Sequence, residues 1–316
     1  MKINNQTISY SAVTTSQQPV TNNETTIQRN NPYEGEGDRR NKILDEKYRK
    51  LNEENKRYAN PYDHILDKYC NPYSPKFRSD LTKAERDAAY SMESSMLRNG
   101  VINSYDFSDA AFRGEGPIND TLENTKKKVF NRQQVNGQIQ DLFTKYGVTI
   151  PLGTALTFTI NPNNFKLTVT GTTDSSLIDQ LQNVLNTANN SKELFFHMIN
   201  SSSNESTQFT QSKLEKFRLV NQIKTITGYD LNSLALVNNK FITEDGTDIF
   251  DIYKEKLSQN PYTKDHVGAA IGYYGPILHE LAKNGFDSIP DLTLSIRYED
   301  GQLHDIGQSI NYSKAI

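Results

Sequence analysis

The stretch LTFTINPNNFKLTVTG, residues 156–171, decides the class of fold. LTFTI (156–160) and KLTVT (166–170) each alternate apolar and polar side chains, the period-two pattern of a strand with one buried and one wet face. Asn161, Pro162, Asn163 and Asn164 between them supply turn chemistry, so the segment is expected to form an antiparallel hairpin with a four-residue turn. Two more strand pairs read the same way: 234–237 with 241–243 through Asn238-Asn239, and 292–298 with 302–306 through Glu299-Asp300-Gly301. Segments of helical period fall between them, at 176–186, 191–199, 208–225, 248–257 and 263–283. Hairpins make antiparallel sheet without βαβ crossovers, so the expected fold class is α+β.

Upstream the chain reads as helical. Residues 122–146 carry Val129, Val135, Ile139, Leu142 and Phe143 as buried candidates, and Gly147 ends them. Thr82-Lys83-Ala84-Glu85 is a capping box that starts a helix ending at Asn99-Gly100, with Ala84, Ala88, Met92 and Met96 as a narrow core stripe. Residues 41–58 predict a charged helix, broken by Asn60-Pro61-Tyr62 and again by Asn71-Pro72-Tyr73. Residues 1–31 are polar and show no apolar face at either period, so they form an extended N-terminal arm. The expected organisation is an arm with a charged helix over 1–60 and an α+β body over 61–316, subdivided near 147 into helical and hairpin–helix parts.

The 316 residues are 35% hydrophobic and 23% charged, an apolar share low enough that part of the length is not core. With 35 basic against 38 acidic residues and a net charge of -3, there is no basic excess to displace counterions, so no nucleic-acid partner is expected. One cysteine excludes an intramolecular disulfide framework and any multi-cysteine metal site. The opening MKINNQTISY lacks the apolar run of a signal peptide. The longest apolar run, 267–281, is interrupted by Tyr273, Tyr274, His279 and Glu280 and reads as a buried helix, so no transmembrane segment is expected and the chain is expected to be soluble.

Candidate chemistry is sparse. His279-Glu280 would begin a zinc-protease helix, but the second imidazole four residues on is replaced by Lys283, whose ammonium repels a metal. Cys70 with His64 six residues earlier lacks any nucleophile signature and reads as a packed, inert thiol. Asp106, Asp109, Glu115 and Asp120 crowd one loop without the ligand order of a calcium loop. Lys126-Lys127-Lys128 with Phe130 and Arg132 reads as a wet helix face, and the small residues from Gly268 to Gly275 as close packing on the sheet. No nucleophile elbow, phosphate loop or dinucleotide fingerprint occurs, so no catalytic residue, cofactor or metal site is assigned.

One sequence recurs. Asn-Pro-Tyr stands at Asn31, Asn60, Asn71 and Asn260, in a chain with 17 Tyr and no Trp. Pro fixes φ, Asn starts the turn and Tyr offers a flat apolar body with a polar tip, the chemistry of adhesive polar contacts. The residues expected to carry assembly are therefore Tyr33, Tyr62, Tyr73 and Tyr262, with Ile8, Tyr10 and Val13, in a segment able to act as an extended strand docked on its own body or on a neighbouring copy.

LTKAERDAAYSMESSML (81–97), LTFTINPNNFKLTVTG (156–171) and NNSKELFFHMI (189–199) resemble a family of Bacillus-type proteins, the domain of unknown function numbered 4885. The resemblance covers most of the chain from about residue 61 and implies a spore-forming, Gram-positive source; it carries over no catalytic residue. Together these readings favour a non-enzymatic protein that partners itself, in a parasporal crystal or fibre. It would lie in the bacterial cytoplasm or mother cell, or be released or spore-associated. A released effector acting on target cells, and a hydrolase whose catalytic groups are scattered in sequence, are the alternatives.

Overall fold

A computed structural model of the chain describes residues 33–313. Within them α1 (Glu36–Asn55), α2 (Pro61–Tyr69), α3 (Lys83–Asn99) and α4 (Asp120–Lys145) lead to the hairpin β1 (Leu156–Ile160)–β2 (Leu167–Thr170). Then come α5 (Ser175–Asn186), α6 (Asn190–Ser201), α7 (Gln211–Thr227), the hairpin β3 (Ala235–Val237)–β4 (Lys240–Ile242), α8 (Ile249–Gln259), α9 (Val267–Asn284) and the hairpin β5 (Leu294–Glu299)–β6 (Gln302–Asp305). The fold is α+β: helices, one four-stranded antiparallel sheet in the order β2-β1-β5-β6, and the separate β3–β4 ribbon.

Local chemistry accounts for most boundaries. The Thr82 hydroxyl accepts from the Glu85 amide at 3.3 Å and the Glu85 carboxylate accepts from the Thr82 amide at 2.7 Å, while Gly100 ends α3 at φ 72. Asn60-Pro61 breaks α1 and also starts α2, because Asn60 caps the Asp63 amide and proline at the first helical position gives up an N–H that would be orphaned anyway. The sequence pattern passes over α2 for that reason. The first hairpin turns later than expected: Phe165 sits at φ 55, Lys166 stays outside the strand, and the Phe165 ring joins Phe195, Phe196 and Phe217. The other two hairpins close on two-residue turns, with positive φ at Asn238, Asn239, Asp300 and Gly301.

Three hydrophobic cores lie among the described residues. Leu44 and Tyr48 of α1 pack with Ile65 and Tyr69 of α2 and with Ala88, Met92 and Met96 of α3. The inner face of the sheet, with Leu156, Phe158, Ile160, Leu294, Ile296 and Tyr298, is covered by α4, α5, α6 and the first half of α7. The second half of α7 (Leu219, Val220 and Ile223) builds the third core with β4, α8 and α9. The small residues of α9 therefore serve this helical core and not the main sheet. Only Gly275 is in close packing, where an added Cβ would lie 3.3 Å from the Phe250 ring of α8; Gly268 and Gly272 face open space.

Arg132 corrects the reading of α4 as a wet basic face. It is fully buried, pairs with both oxygens of Asp305 at 2.7 and 3.1 Å, donates to Ser201 Oγ at 2.9 Å, and donates through Nε to His197 Nε2 at 2.8 Å. Lys128, half-buried, donates to the Ser202 carbonyl at 2.8 Å and lies over the Tyr312 ring.

Candidate functional site

A contact surface needs side chains or backbone groups that the fold leaves unused. Two Asn-Pro-Tyr sequences build such points by one device. Asn71 Oδ1 accepts from the Tyr73 amide at 3.2 Å, and Asn260 Oδ1 from the Tyr262 amide at 2.9 Å. This Asx turn, with proline fixing the residue between, throws the tyrosine outward. Tyr73 is 95% exposed and Tyr262 81%. The other two differ. Asn60 is a helix cap, and Tyr62 is partly exposed with its hydroxyl 3.0 Å from that of Tyr90. Tyr33 turns inward, its hydroxyl 3.3 Å from Glu123 and its ring against Phe130. Ile8, Tyr10 and Val13 lie outside the described residues.

The strand edges divide sharply. On the outer edge of β2, the Leu167 amide donates to Asn186 Oδ1 at 2.8 Å and its carbonyl accepts from Asn186 Nδ2 at 2.9 Å. The Val169 amide donates to Gln182 Oε1 at 3.2 Å. On the outer edge of β6, the Leu303 amide donates to Asn136 Oδ1 at 3.0 Å and its carbonyl accepts from Arg132 at 3.2 Å. Helix side chains thus stand where further strands would, the usual defence against edge-to-edge pairing. Among the described residues no side chain covers β3 in this way. Its register, Val237 opposite Lys240 and Leu236 opposite Phe241 beside a two-residue turn, points the Leu236 N–H and C=O away from β4. Ala235, Leu236 and Val237 are all exposed.

The candidates for chemistry disperse. Asp109 is buried, held by Lys47 at 2.6 Å, by the Tyr48 hydroxyl and by the Ala111 amide; Asp106 caps the Ser108 amide; Glu115 pairs with Arg39. A second buried carboxylate, Glu93, which the sequence reading did not single out, receives the Tyr69 hydroxyl at 2.6 Å together with Lys68 and Asn55. Burial first, and then the neighbouring carboxylates, push the Tyr48 and Tyr69 hydroxyls above their ordinary range, so both stay protonated donors. Among the described residues no group of three or more His, Cys, Asp or Glu is placed to hold a metal ion.

Cys70 is exposed at the end of α2, not packed, and partial burial of its thiol raises the pKa. His64 stacks on Tyr58 at 3.6 Å and meets Lys76 through Nδ1. His279 and Lys283 lie on the exposed side of α9. Ser201, His197 and Asp305 do converge, but around Arg132: the Ser201 hydroxyl donates to the His197 carbonyl at 2.8 Å, and the imidazole Nε2 accepts from the guanidinium. No nitrogen is left to take the serine proton, so the set braces the fold. Burial, and then the Arg132 charge, hold the His197 pKa down at about 3. The periodicity of α4 contained the signal, since Arg132 continues the stripe of Val129, Val135 and Ile139.

No helix among the described residues is long and apolar enough to cross a membrane. No solved structure matches this chain. The Uncharacterized protein YbdO of Bacillus subtilis (strain 168) is 44% identical over 292 residues, 92% of this chain and 74% of that protein. The model of the Domain of unknown function (DUF4885) matches residues 3–315, which extends the resemblance of the three quoted segments across nearly the whole length, and the chain belongs to the DUF4885 family.

Proposed function

We propose that this protein is a non-enzymatic structural component that assembles with copies of itself. Arm residues Ile8, Tyr10 and Val13 of one copy engage β3 of the next, and the outward tyrosines Tyr73 and Tyr262 provide secondary contacts. The observation that carries the reading is the contrast between edges. Asn186, Gln182, Asn136 and Arg132 close the four-stranded sheet, whereas β3 offers the Leu236 backbone and three exposed side chains. An extended segment adding to such an edge gains main-chain hydrogen bonds, each worth about 0.5–1.5 kcal/mol net. The arm suits the role: from Ile3 to Asn23 it contains no charged residue to desolvate. In a spore-forming relative of Bacillus subtilis, such a protein would serve in a parasporal crystal or fibre, or in a spore-associated layer laid down in the mother cell.

Sedimentation velocity of the full chain over a concentration series tests this, with Leu236→Pro as the discriminating variant. Proline there removes an N–H that points outward and so spares the hairpin's own hydrogen bonds. The wild type should grow with concentration, while Leu236→Pro and a chain lacking residues 1–31 should stay monomeric with unchanged circular dichroism. A wild type that is monomeric throughout, or variants that assemble as it does, would refute the proposal.

A further inference from the structure

A groove of about 590 Å³ lies between the end of the first hairpin turn, the C-terminal half of α5 and the start of α6. Its lining contains no carboxylate, two lysines and five side-chain amides. Lys166 and Lys192 have no ion-pair partner among the described residues; the Lys192 ammonium only overlies the Phe165 ring, 5.4 Å from its centre. The first turn of α6 opens onto the same space. Its N-cap, Asn189, makes no side-chain cap, so the Ser191 and Lys192 amides have no acceptor among the described residues. Ser191 is only 6% exposed, lines the groove, and its hydroxyl has no hydrogen-bond partner among the described residues. An enclosed serine whose hydroxyl is unengaged and still open to the groove, beside helix amides without a described acceptor and an ammonium without an ion pair, is what an anion would complete.

The amides divide into used and unused groups. Asn186 is spent on the β2 edge and the Gln182 carbonyl on Val169, but the Gln182 NH₂ and the Asn183 and Asn189 side chains are unengaged among the described residues. Amides that both donate and accept match vicinal hydroxyls, which do the same. The volume falls within the range of small-molecule sites, about 300–1,000 Å³.

We propose that this groove binds an anionic saccharide, a sugar bearing one phosphate or carboxylate. The anionic group sits at the start of α6 against the Ser191 hydroxyl and Lys192, and the sugar hydroxyls meet Asn183, Asn189 and Gln182. This site is independent of the assembly edge.

Isothermal titration of the full chain with glucose 6-phosphate, glucuronate, glucose and inorganic phosphate tests it, and the two anionic sugars separate a phosphate from a carboxylate preference. At least one anionic sugar should bind at least tenfold more tightly than both glucose and inorganic phosphate. Lys192→Gln, an exposed substitution, and Ser191→Ala should each weaken that sugar at least tenfold, with the melting temperature of Lys192→Gln unchanged. Inorganic phosphate binding as well as the sugars would reduce the groove to a simple anion site and overturn the saccharide assignment. Absence of binding, or undiminished binding by Lys192→Gln, would overturn the site altogether.

Discussion

Replacing His197 by Gln should remove much of this protein's sensitivity to mild acid. His197 is buried with its Nε2 accepting from Arg132 Nε at 2.8 Å, so protonation would set two cations in contact away from water. Its pKa is held at about 3 against 6.5 for an unperturbed imidazole, burial being the larger cause and the Arg132 charge the second. Because the folded value is the lower one, the unfolded chain takes up the proton first. Stability from this group is therefore complete above pH 6.5 and is lost as pH falls towards 3. At about 1.36 kcal/mol per unit the whole span is worth about 5 kcal/mol, of which roughly half disappears between pH 6.5 and 4.5.

That upper window is the diagnostic one. The strongly depressed carboxylates Glu36, Asp80 and Glu85, held at about 2 by Arg39, Arg78 and Arg113, forfeit their contribution only below their ordinary values of 4.5, 3.8 and 4.5. His64, also lowered, acts in the same direction but is common to both proteins and cancels in the difference. Gln keeps an oxygen to accept from Arg132 and has no proton to gain. Urea unfolding followed by circular dichroism, near pH 6.5 and near pH 4.5, should show the wild type losing about 2–3 kcal/mol more than His197→Gln. Parallel losses in the two proteins would refute the buried, neutral imidazole and the Arg132-centred brace with it.

Two further substitutions test the sheet. Asn186→Ala strips the β2 edge of its cover and leaves the Leu167 amide and carbonyl unpaired; it should cost about 2–3 kcal/mol in urea unfolding and bring thioflavin-positive association, and a soluble, equally stable variant would contradict the edge-closing role. Gly171→Ala places a Cβ 2.2 Å from the Ala155 carbonyl oxygen at φ +106, so it should cost about 4 kcal/mol or more, or prevent folding; a melting temperature within a degree of wild type would show that the turn is built differently.

Periodicity was legible where a helix or strand keeps one face dry. The α+β class, the α3 capping box and the turn at Asn238-Asn239 are all in the residue order, since each depends on neighbours a few positions away; the last turn is one residue shorter than the expected Glu299-Asp300-Gly301, because Glu299 pairs with Gln302. The partnership of β1 with β5 is not, because Leu156 faces Tyr298 across the sheet and no local pattern encodes that distance. Buried charge was illegible for a different reason. Arg132, Glu93 and Lys216 read as wet by residue type, yet they occupy apolar registers and are compensated by Asp305, by Tyr69 with Lys68, and by Asp291 with the Phe286 ring. Their position in the stripe was the better guide than their charge. The groove beside α6 rests on which amides remain unengaged after folding, a property of the finished tertiary structure.

The pairing of β1 with β5 also has a meaning in time. As the chain leaves the ribosome, β1 and β2 can meet at once and α5 can seal the far side, but the other flank of β1 waits for a strand that begins only at Leu294. At about 5–20 residues per second, that wait lasts roughly 6–25 s. Throughout it the nascent chain carries a half-built sheet whose growing side is unguarded. Completion depends on a segment synthesised long after β1, so a chain arrested short of β5 exposes the one flank of β1 that the finished protein never shows.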